Sequence, residues 1–441
     1  MLVPIRWLKD YVDLPDSVTV EELAERLTLA GLEVGKIHYI GVPQQRRADL
    51  PHLAAPLSDH LVWDRDRIVL GKIVEVRSHP DADRLVLAMV DHGGDELEQC
   101  VTGAPNLFEY QDRGPLDPPL WSPFAREGAE LWDGHSEVPR RMILQGRKIR
   151  GIYNRSMVCS EKELGLGEDH TGILLLEPDI VAGFAPGTPL QDVLGDVILD
   201  IELTPNLARC WSMVGVAREV AALFDVPMRY PPTDVLMAGP PIEGRVAIDI
   251  RVPELNPRFT LSLIENVTIR PSPQWMQMRL LKAGMRPINN IVDVTNYVML
   301  ETGQPLHAFD WDIIQRRARE SGADVPTIIT RLPAPGERLT LLDGSVHDLD
   351  DFNILVADTA GALSLGGIMG GLESEVQPDS RNILLEAANW NFINIRRTMQ
   401  ARKIDSEAGT RFSRGVHPSQ AEFGLRRATE LMRLLGGGTV A

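Results

Sequence analysis

The feature that most constrains the fold is a run of short apolar–polar alternations between residues 66 and 106. The segments "RIVLGKIVEVRSHP" and "RLVLAMVDHGGDELEQCVTGAPN" alternate apolar with polar residues and break at Gly or Pro about every eight to twelve positions. A period of two places one face of each strand in a core and the other face in solvent. The pattern predicts a small all-β barrel or sandwich.

The length of the chain requires more than this one unit. A single hydrophobic core stops growing at about 250 to 300 residues, and the chain has 441 residues, of which 44% are hydrophobic. Outside the barrel, helical and strand patterns interleave without a repeating βαβ period. The sequence therefore predicts an α+β multidomain protein with roughly three domains.

Local signals place several elements. Thr19 and Glu22 form a capping box ahead of an amphipathic helix, and a second helix is predicted from about Leu207. Ser272 is the predicted N-cap of a third helix, with Pro273 at its first position. A hairpin is predicted on the Asp343-Gly344 turn, and the tail "PSQAEFGLRRATELMRLLGGGTVA" is predicted to form one more helix, with an end that looks like a truncation.

Two proline-containing stretches interrupt these patterns. Residues 42–62 are predicted to form a linker or a surface insertion, because no apolar period is sustained there. The stretch 112–138 is richer still in proline and is predicted to form a long irregular loop between strands.

The formal charge of −17 argues against a protein whose whole surface wraps nucleic acid, since that mode of binding needs many cations. One local basic run, "RRMILQGRKIRGIYNR", remains a candidate RNA-binding patch. A solvated strand face is an equally good interpretation of the run. Its cations are Arg140, Arg141, Arg147, Lys148, Arg150 and Arg155.

Several common kinds of site are missing from the sequence. There is no GxxxxGK[ST] loop, no GxSxG elbow and no HExxH motif. The three cysteines lack metal-site spacing, and "HPDAD" at His79 favours a capped turn over a metal site. No apolar run is long enough to span a bilayer and no signal peptide is evident, so we expect a cytosolic protein without a metal or a membrane partner.

One carboxylate stands out. Glu386 lies inside the apolar run from Ile383 to Ala388, and a buried carboxylate needs a partner or a purpose. His307, in "GQPLHAFD", taken by itself favours a core histidine over a site residue, because its neighbours are apolar. Spacing alone does not show whether these two residues meet.

Several long motifs resemble one known family. "GKIVEVRSHPDADRL", "VTGAPN" and "GRKIRGIYNRSMVCSEKELGLGEDHTGIL" resemble a tRNA-binding oligonucleotide-binding barrel. "LTPNLARCWSMVGVAREVAAL", "RPINNIVDVTNYVMLETGQPLHAFD" and "SEAGTRFSRGVHP" are similar to the bacterial phenylalanyl-tRNA synthetase beta subunit, also called phenylalanine–tRNA ligase. The motifs occur in the family's order from Met1 to about Leu435, interrupted at the two proline-containing stretches.

The resemblance implies a domain arrangement. It implies a small discontinuous α+β domain at 1–41 and 161–195, with an oligonucleotide-binding barrel at 64–160 inserted in it. A larger mixed α+β editing domain follows at 200–415, and a helix at 416–441 leads to C-terminal domains that are absent. The motifs "TPNLARC" and "SEAGTR" depart from the family's usual pattern at the rim of the editing pocket.

The resemblance also implies a function. An apolar pocket for phenylalanine rejects an analogue that adds only a hydroxyl about a hundredfold, and the family hydrolyses mischarged tyrosyl-tRNA at an editing site in the beta subunit. Glu386 and the backbone near Gly370 are then expected to hold the tyrosine hydroxyl, with Ser406 and Ala408 closing the pocket. The residues expected around the ester are His307, Thr295 and Asn296.

The resemblance implies partners as well. These are tRNA(Phe), through Arg140, Arg141, Arg147, Lys148 and Arg150, and an alpha subunit in an alpha2beta2 tetramer. ATP and Mg²⁺ would serve the aminoacylation site of the alpha subunit, and no cofactor is expected in this portion. Two alternatives remain: a tRNA-binding module without editing activity, and a free-standing editing deacylase.

Overall fold

A computed structural model describes residues 1–44 and 60–441. Most of the stretch 42–62, predicted as a linker or surface insertion, lies outside the described residues. The chain begins with two strands and two helices, and Thr19 accepts a hydrogen bond from the backbone N–H of Glu22, as predicted for a capped helix. These elements are β1 (Leu2–Pro4), α1 (Ile5–Leu8), α2 (Val20–Leu29) and β2 (Glu33–Ile40).

The alternating region forms the predicted sheet. Five antiparallel strands pair in the order β11-β6-β3-β4-β5, and β11 lies beside β5, so the sheet nearly closes into a barrel. Apolar side chains such as Val69, Ile73 and Phe124 fill its interior. The strands of this region are β3 (Ile68–Ser78), β4 (Val86–Asp91), β5 (Glu98–Thr102), β6 (Pro115–Ala125), β7 (Glu130–Trp132), β8 (Arg141–Ile143), β9 (Arg147–Ile149), β10 (Ile152–Asn154) and β11 (Met157–Val158).

The prediction of an irregular loop over 112–138 is wrong. Strand β6 occupies much of it and pairs with β3 along the barrel, despite four prolines. Proline is tolerated where the strand edge is unpaired, and β11 pairs only with Phe124 and Ala125 at the end of β6. The prolines therefore cost few ladder hydrogen bonds.

A connecting segment returns the chain from the barrel to the N-terminal sheet. Strand β12 lies between β1 and β2, and Leu164, Leu174 and Leu190 pack with the barrel residue Leu70. The helix predicted from Leu207 starts later, because a 3-10 turn at Pro205–Cys210 comes first and Ser212 is the N-cap. The elements are α3 (Glu161–Leu164), α4 (Pro178–Val181), α5 (Leu190–Val193), β12 (Asp196–Glu202) and α6 (Met213–Phe224).

The remainder of the chain forms two larger sheets, the two-stranded hairpin of β17 and β18, and a set of helices. The first sheet has the order β15-β22-β14-β23 and the second β13-β16-β19-β20-β21. The predicted Asp343-Gly344 hairpin and the predicted final helix are confirmed. The elements are β13 (Ala247–Ile250), β14 (Arg258–Glu265), α7 (Gln274–Lys282), α8 (Asn290–Thr302), β15 (Leu306–Asp310), α9 (Trp311–Glu320), β16 (Thr327–Arg331), β17 (Arg338–Thr340), β18 (Val346–Asp348), β19 (Leu355–Ala357), β20 (Ala362–Leu365), β21 (Met369–Gly370), β22 (Ile383–Asn389), α10 (Phe392–Arg402), α11 (Glu407–Phe412), α12 (Gln420–Gly436) and β23 (Thr439–Val440).

The predicted start of α7 is off by one residue. The helix begins at Gln274, and Pro273 rather than Ser272 occupies the N-cap position. The hydroxyl of Ser272 does not cap the helix because it donates instead to the buried carboxylate of Asp293, at 2.6 Å. None of the helices in the described parts of the chain is long and apolar enough to cross a membrane.

Strand β22 is buried along its whole length. Leu385 and Ala387 face the helical side of the sheet, where they join the cluster that contains α8 and α12. Leu384 and Ala388 face the second sheet. Burial on both faces explains why the sequence of β22 is almost entirely apolar. The carboxyl of Glu386 is the ionisable exception among these buried side chains.

A buried carboxylate joins three distant segments. Glu301, at the end of α8, is fully buried and accepts hydrogen bonds from the Tyr11 hydroxyl at 2.7 Å and from Nε of Arg427 at 2.9 Å. Trp7 donates in turn to the Tyr11 oxygen and stacks on Tyr297 of α8, with ring centroids 4.7 Å apart. The N-terminal segment, α8 and α12 are thereby held together.

We expect Glu301→Ala to lower the free energy of unfolding by about 3 to 5 kcal/mol, because the guanidinium of Arg427 is left buried without its partner. Chemical denaturation monitored by circular dichroism measures the change. The control is Glu320→Ala at the exposed end of α9. A loss no larger than that of the control would show that the network does not stabilise the fold.

Candidate functional site

The register of two strands places a histidine beside a glutamate. His307 on β15 and Glu386 on β22 are direct partners across the antiparallel ladder, so both side chains project from the same face of the sheet. That face is the one that packs against the second sheet, because Phe309 and Leu384, two residues away on each strand, belong to its core. The sequence did not show that these residues meet, and the pairing of the strands brings them together.

A glycine of the second sheet lies against the imidazole. A Cβ atom added to Gly370 would lie 2.3 Å from Cε1 of His307 and 3.0 Å from Leu342. A side chain at this position would therefore displace the ring. The backbone of β21 thus forms one wall directly over His307, and the backbone N–H of Leu342 donates to the carbonyl of Gly370, at 3.0 Å.

Helix α8 supplies another wall. Its N-cap, Asn289, accepts hydrogen bonds from two backbone N–H groups, and Gly303 ends the helix with a φ of +87°. Thr295 and Asn296 lie on the face toward the cavity, together with Met299. The Thr295 hydroxyl donates to the carbonyl of Val292 at 2.7 Å, so toward a ligand it can act only as an acceptor.

Ser406 connects the start of α11 to the loop before Gly370. It is the N-cap of α11, where its hydroxyl accepts from the backbone N–H of Gly409 and donates to the carbonyl of Ile368, at 2.9 Å. The loop before Gly370 and the start of α11 are therefore fixed to each other, with Ala408 on the cavity side. The role of the Ser406 hydroxyl in this arrangement is structural.

These walls enclose one cavity of about 340 Å³ between the sheets. All seven residues expected at an editing site line it: Thr295, Asn296, His307, Gly370, Glu386, Ser406 and Ala408. Its remaining lining is mostly apolar and includes Met299, Pro305, Leu342, Trp390 and Phe412. No sequence pattern singled out these apolar residues, because they resemble any other core position.

Burial sets the charge of the two central groups. Loss of solvation lowers the pKa of His307 to about 4 and raises the pKa of Glu386 to about 8. At neutral pH the imidazole is therefore uncharged and the carboxyl is mostly protonated. Nε2 of His307 and Oε2 of Glu386 are both buried and have no hydrogen-bond partner among the described residues, an arrangement suited to a polar ligand.

The basic run divides into two groups. Arg140 pairs with Asp133, Arg141 with Glu130 and Arg155 with Glu98. The other three cations, Arg147, Lys148 and Arg150, are exposed on the hairpin of β9 and β10, and no ion pair holds them in the part of the chain that the structure describes. We call this the basic hairpin.

The predicted turn at "HPDAD" is present. Nδ1 of His79 accepts from the backbone N–H of Asp81 at 3.1 Å, which is a local turn contact rather than ligation. Within residues 1–44 and 60–441, no group of three His, Cys, Asp or Glu side chains is arranged to hold a metal ion.

Comparison with known proteins adds independent information. Residues 255–437 match the family model "B3/4 domain", and residues 68–114 match "Putative tRNA binding domain". Over its full length the chain is 41% identical to the phenylalanine–tRNA ligase beta subunits of Moorella thermoacetica and Dehalococcoides mccartyi and 37% identical to that of Salinibacter ruber.

Over its whole length the chain is thus similar to phenylalanine–tRNA ligase beta subunits. The resemblance seen in the motifs is thereby confirmed. The chain spans about half the length of these relatives, covering 49% of each of the three. A solved N-terminal fragment of the phenylalanyl-tRNA synthetase beta subunit from Pyrococcus horikoshii is 16% identical, with a TM-score of 0.26, and covers 48% of this chain and 62% of that one.

The raised pKa of Glu386 makes stability depend on pH. Between the ordinary value of 4.5 and about 8, the folded protein holds a proton that the unfolded chain has lost. The free energy of unfolding therefore falls by about 1.4 kcal/mol for each unit by which the pH rises within this window. Glu386→Gln removes the effect, so we expect its stability relative to the parent to rise steadily from pH 5 to pH 8.

Denaturation curves of both proteins across this range measure the difference. His307, whose lowered pKa reduces stability as the pH falls from 6.5 toward 4, is present in both proteins, so its contribution largely cancels. A difference in unfolding free energy that does not change with pH would contradict the neutral carboxyl.

Proposed function

We propose that the cavity between the sheets hydrolyses tyrosyl-tRNA(Phe), the mischarged product of phenylalanine–tRNA ligase. The observation that carries the proposal is the facing pair of His307 and Glu386, two uncharged polar groups with unpartnered buried atoms in a mostly apolar cavity. Phenylalanine would leave the Glu386 carboxyl unpaired, and a site with an unpaired buried polar group disfavours the ligand that lacks the matching hydroxyl. Tyrosine supplies that hydroxyl.

The protonation of Glu386 refines the expected contact. A carboxylate accepts hydrogen bonds only, whereas a neutral carboxyl also donates one, and a phenolic hydroxyl does both. The tyrosine hydroxyl therefore pairs with Glu386 in either state. In the proposed complex the aromatic ring lies among the apolar walls, and the ester is near Thr295, Asn296 and His307.

In this proposal His307 orients a water molecule or the terminal ribose and does not act as a general base. A general base is most effective when its pKa is near the working pH, and the pKa of His307 is about 4. A neutral imidazole can still position a water molecule or the terminal ribose by hydrogen bonding. We therefore propose attack by a positioned water, without a protein nucleophile.

The wider assembly is part of the same proposal. The nearly closed barrel and the basic hairpin would bind tRNA(Phe), an alpha subunit would carry aminoacylation with ATP and Mg²⁺, and the complex would be an alpha2beta2 tetramer in the cytosol. The proposed domains are 1–41 with 161–195, 64–160, 200–415, and the helix at 416–441. Support comes from the beta-subunit relatives and the two matched domain models.

We expect the protein to deacylate tyrosyl-tRNA(Phe) and to leave phenylalanyl-tRNA(Phe) intact. Glu386→Ala should reduce the preference for tyrosine by about ten- to hundredfold, because it removes the hydroxyl's partner. His307→Ala should slow deacylation by a similar factor while keeping the preference. Release of labelled amino acid from each charged tRNA measures both quantities.

Exposed residues provide the controls. Glu320→Ala and His417→Ala should match the parent, since both side chains are exposed and neither lines the cavity. If the two cavity variants also clear tyrosyl-tRNA at the parental rate, the site assignment fails. If the parent leaves tyrosyl-tRNA intact but binds tRNA, a binding module without editing activity is the better description.

For the barrel, we expect replacement of Arg147, Lys148 and Arg150 by alanine to weaken tRNA binding and to flatten its dependence on salt, because fewer counterions are released. Filter binding over a range of salt concentrations measures the slope. The matched control replaces Arg65, Arg251 and Arg338, three exposed arginines that each pair with an aspartate. An unchanged slope in the first variant would favour a solvated strand face.

A further inference from the structure

A second and larger cavity lies beside the barrel. Its volume is about 670 Å³, within the range of pockets that hold a small organic ligand. Arg147 of the basic hairpin lines it, as do two histidines, His135 and His170, that the editing proposal does not use. Its apolar walls include Leu85, Val101, Met142, Ile149, Val158 and Ile173.

A chain of hydrogen bonds runs along the wall of this cavity from a buried carboxylate. Oε2 of Glu163 accepts from the backbone N–H of Ser160 at 2.7 Å and lies 2.9 Å from the Ser160 hydroxyl. Nδ1 of His170 is 3.1 Å from the same hydroxyl, and Nε2 of His170 is 3.3 Å from Nδ1 of His135. Ser160 and Glu163 are both buried.

The hydrogen bond to Glu163 fixes the direction of the other hydrogen bonds in this series. The Ser160 hydroxyl donates its single proton to Oε2 of Glu163. The hydroxyl must then accept from Nδ1–H of His170, which leaves Nε2 of His170 as an acceptor. Nδ1 of His135 is therefore the donor to it, and Nε2 of a neutral His135 carries a free lone pair.

Close packing keeps this arrangement in place. A Cβ atom added to Gly134 would lie 2.4 Å from Cε1 of His170, so the glycine allows the ring to sit against the backbone. The rings of His135 and His170 meet edge to face, with centroids 4.6 Å apart. His135 is exposed and lines the cavity.

We propose that this cavity binds one unstacked nucleotide of an RNA strand and selects bases with an exocyclic amino group. The apolar walls would take the base, Nε2 of His135 would accept from its amino group, and the basic hairpin at the rim would hold the adjoining phosphates. The inference rests on the proposed tRNA-binding function, and it is supported by the tRNA-binding domain model, whose matched residues 68–114 include the wall residues Leu85 and Val101.

The test compares two fluorescent RNA hexanucleotides, one of adenosine and one of purine riboside, which lacks only the amino group. Fluorescence anisotropy is measured at pH 8, above the range in which imidazoles usually titrate. The parent should bind the adenosine strand about three- to tenfold more tightly, the factor expected for one hydrogen bond. His135→Ala should abolish this preference, and His135→Gln, whose amide oxygen is an acceptor, should keep part of it.

His417→Ala, an exposed histidine outside the cavity, is the matched control and should behave as the parent. Nitrogen-15 NMR of the imidazoles should show His135 protonated at Nδ1. Equal affinity of the parent for the two strands, or an unchanged preference in His135→Ala, overturns the proposal. If the basic-hairpin variant still loses tRNA affinity in that case, tRNA binding stands and only the nucleotide cavity fails. If that variant loses none, both fail.

Discussion

Three parts of the chain that are far apart in sequence meet at the carboxylate of Glu301. Its ion pair with Arg427 and its hydrogen bond from Tyr11 attach the final long helix and the N-terminal segment to α8. A buried charge of this kind is tolerated only when all its partners are in place. The position of α8 is therefore tied to α12 and to the N-terminal segment, and α8 is the helix that carries Thr295 and Asn296 into the cavity.

The register of β15 and β22 places two polar side chains together in the cavity. His307 and Glu386 lie 79 residues apart in the sequence, and their pairing across β15 and β22 leaves both without a protein partner for one buried atom. A shift of one residue would turn either side chain toward the helical core instead. The same contacts that stabilise the sheet thus maintain two unpaired polar groups where a ligand can reach them.

Much of the fold was predictable because it depends on local patterns. The alternation in β3, β4 and β5, the cap at Thr19 and the Asp343-Gly344 turn each act over a few residues. The failures at β6 and Ser272 have non-local causes: an unpaired strand edge admits prolines, and Asp293 takes the serine hydroxyl. For the site, family motifs named the polar residues, whereas their meeting, the apolar walls and the hydrogen-bond chain from Glu163 to His135 required the tertiary structure.

The two hydrogen bonds of the Ser406 hydroxyl restrict how the walls of the cavity can move. Because the hydroxyl bonds both the carbonyl of Ile368 and the backbone N–H of Gly409, the glycine-containing loop and α11 form a single stiff unit around the cavity. The loop and α11 cannot move apart without breaking one of the two hydrogen bonds of the Ser406 hydroxyl. An amino-acid side chain too large for the cavity would have to displace both walls together, so the bonds of Ser406 limit the width of the pocket.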